Sequence, residues 1–383
     1  MINCQKELFD IPDGITYLNA AYMGPITKEA ANIGKQAVEN KLNPWSITIN
    51  DFFDTPNKIY DLSSKLIHAE PSDMAIVPSV SYGIAIAAKN ITVAKGQKII
   101  VMADEFPSNL YRWRELAEEQ NAIIETVNWP EDCDWTTAIL DAIDDNTAVV
   151  TTANAHWTNG TRIDLVAIGK KARAVGACLV LDLTQTLGVM PFSVKDVDPD
   201  YMVVGCYKWL LGPYSFGFMY VAPRNQEGKP IEESWVTRKG ADDFARLVDY
   251  KDEYEAGARR FDMGEKSNFI SAPIAASALR LINDLGVENI ANYIKSLTDY
   301  AAERATAIGL NVAKSEQRVP NLIGINFNDG VPEHIASVLA AKHIFVSIRG
   351  DSIRIAPHIY NDKTDIDRLF SVLESELQRM DKM

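Results

Sequence analysis

The residues able to do chemistry gather in a few short stretches. Lys208 stands between Tyr207 and Trp209 at the end of an apolar run, Tyr201 to Cys206. A Leu-Leu-Gly-Pro turn follows, and then a second apolar run from Phe216 to Val221. The pattern reads as strand, tight turn, strand, with the lysine at the end of the first strand. A lysine in such apolar company is paired, covalently occupied, or lifts its ammonium to water. If it is desolvated, its pKa falls and the amine becomes a nucleophile. Asp182 ends the apolar run CLVLD, and Gln185 lies three residues on. A strand-terminal aspartate serves equally well as a turn cap. Its place one strand before the lysine favours a shared site.

Ser79-Val80-Ser81-Tyr-Gly83 opens a helix of small residues, and helix N-termini offer free N–H groups and partial positive charge to an anion. Glu105-Phe106 and His156-Trp157 follow two further strands. Arg354 lies in SIRIAPHIYN, where a guanidinium suits a bidentate grip on a carboxylate. Arg349, nearby, reads as solvated. An amine, an acid at a strand end, an aromatic face and an anion cradle are together what pyridoxal 5′-phosphate (PLP) needs.

The elements that must position these residues alternate. Strands are predicted over Lys98–Ala103, Ile123–Val127, Thr147–Thr152, Cys178–Asp182 and Tyr201–Cys206. Helices are predicted between them over Ser108–Gln120, Trp135–Ile143 and Leu165–Val175. Continuous apolar strands separated by helices mean an α/β fold with a mostly parallel sheet covered on both faces. Its ligand sites lie beyond the carboxyl ends of the strands, which is where the candidates above fall. After Asn268 helices are predicted over Ala272–Leu285, Val287–Ala305 and Val331–Lys342. Alternating segments near Asn321–Asn326 and Phe345–Ile355 predict a smaller α+β unit. The expected division is a large domain over 15–265 and a small one from 1–14 and 266–383.

Composition narrows the function classes. Hydrophobic content of 47% and charged content of 23% are those of a globular protein. A formal net charge of −14 argues against a nucleic-acid face and against an anionic membrane surface. No apolar run approaches the ~20 residues of a membrane span. The first residues do not read as a secretory leader, so the expected location is cytoplasmic. Cys4, Cys133, Cys178 and Cys206 are scattered and read as reduced thiols. The histidines show no metal-binding spacing, so no metal is expected. No G-x-G-x-x-G follows a strand and no G-x-x-x-x-G-K-[ST] occurs. Both absences count against nicotinamide and nucleotide chemistry.

Four stretches carry a resemblance: LDLTQTLG (181–188), GCYKWLLGP (205–213), RRFDMGE (259–265) and IRIAPHIYN (353–361). In this order the chain, from about Tyr17 to Leu369, resembles the class V aminotransferase family of fold-type I PLP enzymes. That family includes cysteine desulfurases, kynureninases and isopenicillin-N-epimerase-like proteins. The resemblance implies a fold-type I PLP-dependent transferase, its large domain built on a mostly parallel seven-stranded sheet. It implies Lys208 as the Schiff-base lysine, Asp182 on the pyridinium nitrogen and Gln185 on the ring hydroxyl. Val80 (through its backbone) and Ser81 would hold the phosphate, Phe106 and Trp157 would flank the ring, and Arg354 with Asn19 would bind an amino-acid substrate. It further implies a homodimer, with residues 259–268 approaching the other subunit's phosphate. Glu265 stands where the family has a threonine, so Lys266, Ser267 or Asn268 is expected to take over that contact. His156 remains a candidate beside Trp157. Where desulfurases carry a cysteine, the chain has the short FVSIRGDSIR. The favoured activity is therefore transamination. A PLP-dependent carbon–sulfur or β-lyase, an amino-acid epimerase and a non-catalytic PLP-binding relative stand as alternatives.

Overall fold

The computed structural model describes residues 2–328 and 330–380. In chain order its strands begin with β1 (Thr16–Tyr17), β2 (Met74–Val77), β3 (Lys98–Met102), β4 (Ile123–Val127) and β5 (Thr147–Thr152). Next come β6 (Cys178–Asp182), β7 (Tyr201–Gly205) and β8 (Gly217–Val221). The last are β9 (Asn311–Val312), β10 (Ile323–Asn326), β11 (Ile344–Phe345), β12 (Ser347–Arg349) and β13 (Ser352–Ile355). The seven-stranded sheet has the order β2-β8-β7-β6-β5-β3-β4. Only β8 opposes its neighbours, because it returns from β7 through the tight turn after Lys208. The other strands are joined by crossovers, which parallel pairing requires. Strands β2, β5, β7 and β8 are buried along their whole length, as two covered faces demand. Edge strand β4 is mostly partly exposed.

Predicted and observed elements coincide for β4, β5, β6 and the helix Leu165–Val175. The helix expected from Ser108 starts at Tyr111, after a single 3-10 turn over Pro107–Asn109. Asn109 is fully buried there and accepts the Thr151 hydroxyl at 2.8 Å, which pins the loop before the helix can begin. The helix expected over Val331–Lys342 is confined to Ile335–Ala341, its start set by Pro332, whose carbonyl accepts the Ile335 N–H. A long C-terminal helix, Lys363–Met380, lies beyond the predicted elements, although Ile366, Leu369, Phe370 and Leu373 are fully buried at helical spacing. Among the described residues no helix is long and apolar enough to cross a membrane.

The smaller antiparallel sheet, β12-β13-β10-β9, places Arg354 opposite Gly324 on one side and Ser347 on the other. The segment after β1 joins this sheet to the large one. β1 pairs in parallel with β11, Asn19 bridges to Ala356, and Gly24 N–H donates to the Tyr207 carbonyl at 2.8 Å. A Cβ on Gly24 would lie 2.1 Å from the Lys208 carbonyl oxygen, so only glycine lets the segment lie against the lysine turn. Behind that turn Trp209 locks three stretches together. Its indole donates to Gln185 Oε1 at 3.1 Å, and its carbonyl accepts from His358 Nε2 at 3.0 Å. His358 Nδ1 accepts the Ile359 N–H at 2.7 Å, which fixes the neutral Nε2–H tautomer. Burial pushes this imidazole down to about 4 from 6.5.

That shift predicts acid lability. The unfolded chain takes up the His358 proton below 6.5 and the folded chain only near 4, so this contribution to stability is full above 6.5 and falls as pH drops between them. The shift corresponds to roughly 3 kcal/mol. Denaturant unfolding from pH 4 to 7 is expected to show a steeper pH dependence for the native chain than for His358→Asn; equal slopes would contradict the assignment.

Candidate active site

Asp182 is the last residue of β6 and Lys208 follows the neighbouring β7, so the parallel register delivers both to one edge of the sheet. They share a cavity of about 320 Å³, which also brings together Val80, Ser81, Phe106, Trp157 and Gln185. A second cavity of about 420 Å³ shares Phe106, Trp157, Gln185 and Lys208 and adds Arg349 and Arg354. Asn19 lines neither; its Oδ1 accepts the Ser347 hydroxyl at 2.8 Å, beneath the hairpin that carries the two arginines.

Lys208 is 6% exposed, with Nζ 5.3 Å from the Phe106 ring centroid and 5.5 Å from that of Tyr207. It makes no ion pair among the described residues. Burial pushes its amine down to about 8. The Asp182 charge opposes that fall, while Arg354 and Arg349 add to it. At pH 7 about one lysine in ten is then a neutral amine. The following turn is held firmly: Leu211 N–H returns to the Lys208 carbonyl, and buried Leu211 itself sits at φ 56. A branched residue in that conformation costs on the order of 1 kcal/mol and persists only where packing enforces it.

Asp182 accepts one backbone N–H, from Thr184 at 2.9 Å, and no described cation pairs with it. Burial raises its carboxyl, with the Thr184 hydrogen bonds opposing. A buried carboxylate so poorly matched calls for a cationic or N–H partner. Glu105 stands near it. Its Oε1 accepts the Phe106 N–H at 2.7 Å, while Oε2 is buried without a partner. Burial above all, with Asp182 adding, pushes Glu105 up to about 8, so it is mostly protonated at pH 7. Sequence reasoning placed Glu105 at a strand end and gave it no role; only its burial distinguishes it from a solvated carboxylate.

The helix Val80–Asn90 starts at the cavity. Ser79 caps it by accepting the Tyr82 N–H at 3.2 Å, and its hydroxyl lies 2.9 Å from that of Ser81. The helix can lie this close because Gly83 packs on β7, where a Cβ would meet Val203 at 2.7 Å. Gln185 is partly committed: its amide donates to the Ala21 carbonyl at 3.2 Å and accepts from Trp209, leaving one N–H.

Trp157 and His156 separate clearly. Trp157 lines both cavities, meets Phe106 edge to face at 5.5 Å, and donates its indole N–H to the Asp104 carbonyl at 2.7 Å. His156 turns away, stacked on Trp135 at 5.1 Å with its ring nitrogens on Thr158 and the Ala103 carbonyl. Lys266, Ser267 and Asn268 are engaged inside the chain. Lys266 pairs with Asp262 at 2.8 Å, Ser267 donates to the Phe52 carbonyl, and Asn268 Oδ1 accepts the Ser271 N–H at 2.9 Å. Arg354 is 1% exposed, and its Nη1 donates to the Trp157 carbonyl at 2.7 Å.

This set fits PLP on its own chemistry. An unpaired buried carboxylate awaits a ring N–H, a desolvated amine stands beside it, an aromatic ring offers a face, and serines at a helix start await an anion.

Comparison with known proteins agrees. A family model described as Aminotransferase class-V matches residues 57–369. An uncharacterized aminotransferase, YcbU of Bacillus subtilis (strain 168), is 31% identical over 79% of this chain and 79% of its own. A probable cysteine desulfurase of Methanothermobacter thermautotrophicus is 25% identical over 80% of each. Among solved structures, a C-DES mutant with glycine covalently linked to its PLP cofactor superposes with a TM-score of 0.86. It is 16% identical and covers 97% of this chain and 99% of its own, a likeness of fold.

The lysine environment makes a prediction of its own. In protein freed of cofactor, modification of Lys208 by an amine-selective reagent is expected to rise with a midpoint near pH 8. Asp182→Asn should move that midpoint lower, because the aspartate charge is what holds it up. A midpoint near 10, or an upward move in the variant, would contradict the electrostatic account.

Proposed function

Because the chain belongs to the class V aminotransferase family, we propose that this PLP-dependent enzyme is an aminotransferase acting on an amino acid through Lys208. When bound, PLP supplies the electron sink that lets a bond at the substrate Cα break. The chain's own residues do the rest. Asp182, otherwise unpaired, keeps the pyridine nitrogen protonated. Ser79, Ser81 and the N–H groups of the helix from Val80 hold the phosphate, and Phe106 covers a ring face. Arg354 grips the substrate carboxylate with the donors that Trp157 leaves free. Lys208, already partly neutral at pH 7, takes a proton from Cα and returns it to another carbon, as a base with pKa near the working pH does best.

The observation that carries transamination over desulfuration is the hairpin before Arg354. Its turn, Arg349-Gly350-Asp351-Ser352, is short and without a thiol. Buried Cys206, next to Tyr207, has its thiol pushed up to about 12 and is no nucleophile at neutral pH. A homodimer belongs to the same proposal, supported by bulky aromatics left on the surface: Trp45 is 82% exposed and Tyr250 90%.

Purified protein is expected to be yellow, and borohydride reduction with peptide mapping should leave the cofactor on Lys208. The Lys208→Ala variant should take no covalent label. Adding amino acids one at a time should convert the absorption to that of the amine form of the cofactor, reversed by a 2-oxo acid. Release of pyruvate or sulfide instead would replace transamination by the lyase reading. A label on another lysine would overturn the assignment of the site.

A further inference from the structure

The sequence reading left Arg349 to solvent, and the structure does not. Strands β12 and β13 pair antiparallel, with Arg349 opposite Ser352 and Ser347 opposite Arg354. Residues two apart on a strand share a face, so Arg349 and Arg354 project from the same side of the hairpin as diagonal neighbours. Both line the cavity that reaches Lys208. Neither makes an ion pair among the described residues. Arg354 spends one N–H on the Trp157 carbonyl, and its buried Nε has no partner. Arg349 donates one N–H to the Ile348 carbonyl, and its guanidinium lies 5.7 Å from the Trp157 ring centroid. The carboxylates of the site, Asp182 and Glu105, line the inner cavity and not this one.

Two like charges converging on one cavity repel each other, and the repulsion is felt: burial first, and Arg349 second, push Arg354 down to about 9. A single substrate carboxylate on Arg354 would leave Arg349 unmatched. A planar fork of N–H donors is the geometry that binds carboxylates two bonds at a time. The remaining wall, from Ala21, Met23 and Tyr22, suits a short carbon chain between two anionic ends.

We propose that the substrate is an amino dicarboxylic acid, its α-carboxylate on Arg354 and its side-chain carboxylate on Arg349. The proposal rests on the reading of Arg354 as the α-carboxylate site, and its test has a readout that does not need turnover. In the PLP-loaded enzyme, glutarate or succinate should perturb the cofactor absorption at concentrations on the order of thirtyfold lower than butyrate, the value of one charge-assisted hydrogen-bond pair. In turnover, glutamate or aspartate should convert the cofactor with a higher kcat/KM than glutamine or alanine. Arg349→Gln should collapse both preferences towards unity, and Arg349→Lys should restore part of them. If the diacids discriminate but no amino acid converts the cofactor, transamination fails and the dicarboxylate site stands. If butyrate binds as well as glutarate, or Arg349→Gln leaves the preference intact, the inference is overturned, even where alanine is transaminated readily.

Discussion

The burial of one ammonium without a counterion is the constraint from which the rest of the structure follows. Lys208 sits among aromatic rings with no carboxylate in pairing distance among the described residues, and an ammonium so placed gives up part of its charge. Such a position is unfavourable in a resting protein and survives only if the backbone beneath it cannot move. The chain supplies that rigidity in layers. Gly24 lies against the lysine's carbonyl, Leu211 is forced into a left-handed conformation behind it, and Trp209 ties the turn to Gln185 and to His358. The fold therefore holds the amine in the condition that covalent capture of an aldehyde requires.

Charge is sorted along the same line. Two carboxyl groups, Asp182 and Glu105, stand on the inner side and are both raised by burial; two guanidinium groups stand on the outer side and repel each other; the lysine lies between. Each half is poorly satisfied alone. In the proposed reading a protonated pyridine ring would answer the inner half and a carboxylate-bearing substrate the outer. The protonated Glu105 keeps the inner half at a single negative charge, because two ionised carboxylates there would repel. Trp157 joins the halves mechanically: its indole is tied to Asp104 after β3, and its carbonyl holds Arg354 on β13.

Much of this was legible in the sequence, for physical reasons that differ from part to part. Strands β5 and β6 read correctly because burial on both faces leaves short runs rich in apolar and β-branched residues, and the edge strand β4 because its Ile, Thr and Val content is that of a strand. The pairing of Asp182 with Lys208 followed, since parallel topology brings successive strand ends together. The C-terminal helix carries its signal in Ile366, Leu369, Phe370 and Leu373, whose helical spacing is the mark of a buried face. What was illegible depends on the third dimension. His156 and Trp157 are adjacent in sequence, and only the tilt of the chain after β5 decides which faces the cavity. Asn19 was placed with the substrate residues, yet its side chain supports the hairpin through Ser347. Glu105 looks like any surface carboxylate until its burial is known.

Arg349 shows most sharply why composition could not decide. Its direction is fixed by hairpin register, and the register is fixed by the two-residue connection Gly350-Asp351. Gly350 at φ 54 occupies the first central position, where turns of the II′ type favour glycine. A one-residue slip of β12 against β13 would swing Arg349 to the opposite face of the sheet. In this chain the tight turn holds the register that the proposed grip requires.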